Sequence, residues 1–229
     1  MSAIADNLQA VRARMARAVA AAGRPAESVR LLAVSKTMPL AHVIEAADAG
    51  QDAFGENYAQ EGIAKAGATA GRGLEWHFIG PLQSNKSRPV AEAFDWVHTV
   101  DRLKIAERLS AQRPAARPPL QVCVQVNVSG EASKSGCPPE EALALCQAVA
   151  ALPGLCLRGL MAIPEASDDP AAQRAPFSRL REIYDQIRAA GLPLDTLSMG
   201  MSHDLEAAIA EGATIVRVGT AIFGERNYA

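Results

Sequence analysis

Apolar residues along this chain fall into two alternating patterns: short unbroken runs, and longer stretches in which they recur at helical spacing. The first stretch, 1–23, carries Ile4, Leu8, Val11, Met15 and Val19 as one stripe with Arg12, Arg14 and Arg17 mostly off it, which predicts a helix packed on the rest of the domain. The run at 30–35 is apolar without alternation, the mark of a strand buried on both faces. Further strands are predicted at 52–55, 76–79, 96–99, 120–128, 157–162, 196–198 and 215–218. Helical patterns lie between them: 40–49 closing at Gly50, one ending at Lys65, 86–93, one from an Asp101 cap to Gln112, one from Pro138 to Leu152, 177–190 stopped by Gly191, and 204–211.

Eight strand patterns, each followed or preceded by a helical one, predict an α/β fold: a (β/α)8 TIM barrel with an additional N-terminal helix, one domain over 1–229. A doubly wound open sheet would carry a glycine-rich fingerprint after its first strand, and Ser35-Lys36-Thr37-Met38 stands there instead.

Composition narrows the function. Apolar residues make up 49% of the chain but aromatic ones only 4%, so the core is aliphatic and rich in alanine. A net charge of −2 gives no reason to expect nucleic acid or an anionic membrane, and no apolar run approaches the roughly 20 residues of a membrane span. Asp6 and the lack of a central apolar block argue against a targeting segment at the start. The four cysteines form no C-x-x-C pair and have no histidine at ligand spacing, which points to neither a metal site nor a disulfide framework and suits a reducing cytoplasm. Cys123, Cys146 and Cys156 read as buried, and Cys137, next to Pro138 in a loop, as more exposed.

In a barrel the carboxyl ends of all strands face one mouth, where sites form. There the sequence places Lys36, Asn57, His77, Thr99, Asp101, Asn127, Met161, the stretch 198–202 and the stretch 217–220. The loops after the last two strands are a barrel's usual phosphate site; here they hold Gly200 and Ser202, then Gly219 and Thr220, with a helix expected to begin near Ser202. Taken singly, each glycine also reads as a tight turn, and Lys36 as a strand-end lysine reaching water. Taken together, an amine and an anion cradle suggest an aldehyde-bearing phosphate held as a Schiff base. Burial beside Arg217 favours the neutral, nucleophilic form of Lys36. Arg217 itself lies inside an apolar strand and pairs either with an acid such as Glu56 or with the ring nitrogen of a pyridine ligand. An arginine in that place leaves the ring nitrogen unprotonated, so the site holds such a ligand better than it drives vigorous chemistry.

The blocks Ala33-Val34-Ser35-Lys36-Thr37, Phe54-Gly55-Glu56-Asn57-Tyr58, Trp76-His77-Phe78-Ile79-Gly80-Pro81-Leu82-Gln83-Ser84-Asn85-Lys86, Ser133-Lys134-Ser135-Gly136, Gly159-Leu160-Met161, Ser198-Met199-Gly200-Met201-Ser202 and Val216-Arg217-Val218-Gly219-Thr220 resemble the pyridoxal phosphate homeostasis proteins over essentially the whole chain. The resemblance implies a barrel similar to the amino-terminal domain of alanine racemase, with pyridoxal 5′-phosphate (PLP) on Lys36. It implies a cofactor site made from Lys36, Asn57, His77, Met199, Gly200, Ser202, Arg217, Gly219 and Thr220, with the phosphate near Ser202, Gly219 and Thr220 and the ring nitrogen facing Arg217. The family is associated with maintaining intracellular PLP and the amino-acid and keto-acid balance, without a demonstrated catalytic reaction. Expected partners are therefore PLP, apo forms of PLP-dependent enzymes and PLP-producing enzymes, around a cytoplasmic monomer.

Two departures from the family pattern stand out: Met38 in place of a second lysine, and His203 where an acidic or small residue is common. Lys134 is either a solvated loop lysine or a second docking point for cofactor in transit. The competing function is an enzyme of racemase or decarboxylase type. That chemistry needs an opposing acid or base from another domain, and the chain ends shortly after the eighth unit, leaving Tyr58 or His77 as makeshift candidates while Tyr184 falls on an outer helix.

Overall fold

Eight parallel strands close on themselves in chain order: β1 (Arg30–Val34), β2 (Ala53–Glu56), β3 (Glu75–Phe78), β4 (Trp96–Val100), β5 (Leu120–Gln125), β6 (Leu155–Met161), β7 (Thr196–Ser198) and β8 (Ile215–Val218). The structure is a computed structural model that describes residues 2–130, 135–165, 167 and 169–224. Closure comes from β8 against β1, where Leu32 pairs with Arg217 and Ala33 with Val218. Helices α1 (Ala3–Ala21), α2 (Leu40–Asp48), α3 (Ala59–Ala68), α4 (Ser87–Ala93), α5 (Leu103–Gln112), α6 (Ala142–Ala150), α7 (Pro170–Ala189), α8 (Leu205–Ala210) and α9 (Thr220–Phe223) accompany the barrel.

The continuous apolar character of the strands follows from their two buried faces. One core lies between strands and helices and includes Phe54, Val97, Leu109, Leu160, Phe177 and Val216. The barrel interior holds smaller clusters, Leu32 with Ala53, Ile79 and Ile215, and Trp96 with Cys123 and Met161. The stripe of α1 is buried as its spacing predicts: Ile4, Leu8, Val11, Met15 and Val19 all face the protein. Burying each such side chain stabilises by roughly 1.5–3 kcal/mol. From that seat Arg14 Nη1 donates to Ser202 O at 2.7 Å and Asn7 Nδ2 donates to Ile222 O at 2.9 Å. The first helix thus braces the loops after β7 and β8.

Several boundaries differ from the sequence reading. Helix α7 starts at Pro170 rather than 177, because the Asp169 side chain accepts the N–H groups of Ala171 and Ala172 and Pro170 suits the first turn. Asp101 does not cap α5; Arg102 occupies the cap position and Asp101 instead pairs with its guanidinium at 2.7 Å. Strand β5 ends at Gln125, beyond which Val126 bridges to Cys137. That bridge buries Cys137, whose thiol was expected to be exposed, and burial pushes its pKa up to about 12. Cys156 is half-buried, while Cys123 and Cys146 are buried as expected. Among the described residues, no helix is long and apolar enough to cross a membrane, and no cluster of three or more His, Cys, Asp or Glu has the arrangement of a metal site.

Candidate functional site

Lys36 stands two residues past the end of β1 and opens into a cavity of about 190 Å³ at the carboxyl mouth of the barrel. Val34, Asn57, Ser202, Arg217, Gly219 and Thr220 line it, together with Met38, Ile79, Ile163, Met201, His203 and Gly224. Lys36 itself is half-buried. The chain must turn sharply after it, and Thr37 takes a φ of 66°, a left-handed conformation that costs a residue with a Cβ.

A buried charge cluster holds that turn. Thr37 N donates to Glu61 Oε1 at 2.6 Å, and Lys65 Nζ donates to Glu61 Oε1 at 2.6 Å, Glu56 Oε1 at 2.8 Å and Ser35 O at 2.7 Å. Ser35 Oγ also donates to Glu56 Oε1 at 2.6 Å. Burial pushes the Glu56 carboxyl upward, partly opposed by Lys65 and Ser35. Glu56 is therefore committed to Lys65, and the expected alternative of a Glu56–Arg217 ion pair is not formed. Residues on both sides of Lys36 are held by side chains of β2 and α3.

Arg217 is 4% exposed and, among the described residues, meets no carboxylate at hydrogen-bond distance. Its Nη1 donates to Ser198 Oγ at 2.8 Å and its Nη2 to Ala162 O at 2.9 Å. Burial lowers its pKa to about 10, which leaves it a cation at neutral pH. On one side, Gly200 bends at φ 93°, where a Cβ would stand 2.5 Å from Ala208 Cβ. On the other, a Cβ on Gly219 would come within 3.0 Å of Val34 O, so a small residue keeps the β8 loop tight against β1. The N–H groups that open α9 have no acceptor within the helix, and they lie where Gly219 and Thr220 line the cavity. Ser202 is not a helix start: α8 begins at Leu205 with Asp204 as its cap residue, and Asp204 Oδ1 accepts Met201 N at 2.6 Å.

Three of the expected site residues lie elsewhere. Met199 and Gly200 are buried behind the cavity wall, with Gly200 O accepting Arg217 N at 2.9 Å. His77 sits fully buried inside the barrel, stacked on Trp96 at 5.2 Å between ring centroids, and does not line the cavity. It points inward because it is two residues past Glu75, and its ring bonds Glu75 Oε1 at 2.7 Å and His98 Nε2 at 2.8 Å. Tyr58 is 58% exposed and opens on a neighbouring cavity of about 420 Å³ with Pro81, Leu82 and Lys86. Tyr184 donates to Leu194 O at 2.9 Å on the outer layer. Lys134 and Tyr228 lie outside the described residues. Ile79, Ile163 and Met201 form apolar wall; Met201 falls in the stretch 198–202 that the sequence places at the mouth, while only their place just past β3 and β6 marks Ile79 and Ile163.

Burial alone would raise the Glu75 carboxyl, but the hydrogen bond from His77 and the Arg30 guanidinium outweigh it and hold it at about 2, against an ordinary 4.5. A carboxyl with a depressed folded value adds stability above pH 4.5 that is lost as the pH falls toward 2. Glu75→Gln should cost about 1 kcal/mol at pH 7 after solvent screening. That difference should shrink between pH 4.5 and 2 in urea-unfolding midpoints; a constant offset across the window would contradict the assignment.

A closed (β/α)8 barrel with a lysine just past its first strand, a buried arginine on its eighth and small residues in the loops after its last two strands, gathered around one cavity, defines a class: α/β barrels with a polar cavity at the carboxyl mouth. Comparison with known proteins gives the family. The family described as alanine racemase, N-terminal domain, matches residues 3–227. The pyridoxal phosphate homeostasis protein of Pseudomonas aeruginosa is 63% identical over 228 residues, covering 100% of this chain and 98% of that one. The protein of the same name from Escherichia coli K12 is 53% identical over 235 residues, covering 100% and 99%. A structure of PipY from Synechococcus elongatus with PLP bound superimposes at a TM-score of 0.85 with 38% identity, over 96% of this chain and 100% of that one. Alanine racemase from Clostridium difficile shares the fold at a TM-score of 0.73 and 16% identity, over 87% of this chain and 53% of that one. The chain belongs to the pyridoxal phosphate homeostasis protein family, within the alanine racemase N-terminal-domain barrels.

Proposed function

We propose that this protein binds pyridoxal 5′-phosphate at the mouth cavity as a Schiff base on Lys36 and serves to maintain the cell's supply of the cofactor, and with it the amino-acid and keto-acid balance. The observation that carries the reading is the convergence of Lys36, the buried cation Arg217 and the Gly219–Thr220 loop on one cavity. The residues fit such a ligand. Asn57 Oδ1 is buried and accepts no hydrogen bond, which suits a donor on a ligand seated there. Ser202, Gly219 and Thr220 offer hydroxyl and backbone donors to a phosphate, as small residues at a barrel's last loops do. Arg217 carries N–H groups beyond the two already engaged and faces the cavity, which suits an unprotonated ring nitrogen. When bound, PLP supplies an electrophilic aldehyde and an electron-withdrawing ring.

The chain's own residues favour holding over turnover. The described residues lining the cavity include one imidazole, the exposed His203, and neither a carboxylate nor a phenol. A racemase needs a second acid or base at the ligand besides the lysine, and the remaining cavity wall includes the apolar Ile79, Ile163 and Met201. The natural recipients of held cofactor are apo forms of PLP-dependent enzymes, and its suppliers PLP-producing enzymes.

Incubation with PLP, reduction with borohydride and peptide mapping test the reading. The label is expected on the Lys36 peptide in close to one equivalent per chain. Label spread over surface lysines, or none, would overturn it. A holoprotein that then restores an apo-enzyme faster than free PLP at the same concentration supports the supply role.

A further inference from the structure

Inside the barrel a file of polar side chains runs from one mouth to the other. Arg217 Nη1 lies 2.8 Å from Ser198 Oγ, Ser198 Oγ 2.8 Å from His98 Nδ1, His98 Nε2 2.8 Å from His77 Nδ1, and His77 Nε2 2.7 Å from Glu75 Oε1. Ser198, His98 and His77 have no solvent exposure. Glu75 opens β3 at the amino mouth, where Arg30 and through it Asp52 complete the file.

The carboxylate end and the state of the two rings fix the protons between them. Glu75 as a carboxylate only accepts, so His77 carries a proton on Nε2 and donates to it. Burial pushes both histidines below the ordinary range, which favours neutral imidazoles. In that state His77 Nδ1 accepts from His98 Nε2, His98 Nδ1 accepts from Ser198 Oγ, and Ser198 Oγ accepts from Arg217, which only donates. All four bonds then run one way.

We propose that Ser198, His98 and His77 are positioning residues that hold Arg217 in one orientation toward the ligand cavity, through a one-way hydrogen-bond chain anchored on Glu75 at the opposite face of the barrel. The arrangement solves a specific problem. A carboxylate placed directly on Arg217 would fix it but would also neutralise it and compete for the N–H groups facing the cavity. The chain fixes it with neutral acceptors and leaves the matching negative charge at the far mouth. With both imidazoles neutral, moving the proton of either ring to Nδ1 sets an acceptor against an acceptor, at Glu75 or at His77, so the two tautomers are fixed together.

The role of Arg217 toward a pyridine nitrogen rests on the proposed function, so the test has one arm that needs no cofactor. In protein without PLP at pH 7, imidazole nitrogen NMR is expected to show His77 and His98 neutral with the proton on Nε2. A ring that is ionised, or that carries its proton on Nδ1, overturns the chain. In the second arm, the PLP dissociation constant is measured for the wild type, Ser198→Ala, Arg217→Gln and the double variant. Ser198→Ala is expected to weaken binding by about tenfold in the wild-type background and by nothing further beside Arg217→Gln. Equal weakening in both backgrounds shows a merely structural serine and overturns the proposal. Wild-type protein that takes no borohydride label on Lys36 fails the proposed function instead, and the chain then stands or falls on the imidazole spectrum alone.

Discussion

Lys36→Ala is expected to abolish covalent retention of PLP: no visible imine absorption, no borohydride label, and a loss of retention on the order of a hundredfold, about 2.7 kcal/mol. No other described lysine stands ready to replace it. Lys65, on the neighbouring helix α3, has its ammonium committed to Ser35 O, Glu56 and Glu61 and does not line the cavity. The substitution should leave the barrel intact, because a half-buried lysine at a cavity edge contributes little to the core. A melting temperature within about 4 °C of the wild type together with the lost absorption is the expected pair of results. Retained absorption at the same intensity would place the amine elsewhere.

Gly159→Ala is expected to have the largest effect on stability. Gly159 lies in β6 opposite Thr196 of β7, and a Cβ built on it would stand 1.7 Å from Thr196 O and 2.6 Å from Thr196 C. The obstruction is backbone, so no rotamer change relieves it, and the strands must separate. On its other side Gly159 pairs with Cys123, where the β5–β6 register shifts, so the sheet is already irregular there. The cost should reach about 3 kcal/mol or more, a large part of the roughly 5–15 kcal/mol that holds a domain folded. Because β7 runs directly from Thr196 to Ser198, the damage should reach the site as well. Thermal unfolding measures it, with an expected drop of about 6–12 °C; an unchanged midpoint would show that β6 and β7 part without penalty.

The apolar runs and stripes reported burial, and burial on both faces of a strand is a local property of the residues in it. Hence the eight strands, the α1 stripe and the barrel itself could be read from spacing, and so could the placing of Lys36, Asn57, Ser202, Arg217, Gly219 and Thr220 at one mouth, since strand ends share a face in any such barrel. Helix starts were less legible. Asp101 and Asp169 are the same residue type before an apolar pattern, and only Asp169 bonds the following N–H groups, because Asp101 turns to Arg102. What the sequence does not contain is the stagger of the closed sheet, which sets the inward residues that meet at one level. Nothing local says that His77 faces His98, 21 positions on, or that His98 faces Ser198, 100 positions on. Nor does it tell that Glu56 is taken by Lys65, leaving Arg217 to a serine and a carbonyl. Local chemistry determined which groups reach the mouth; closure of the barrel decided which of them touch, because partners across a closed sheet are set by register and not by distance along the chain.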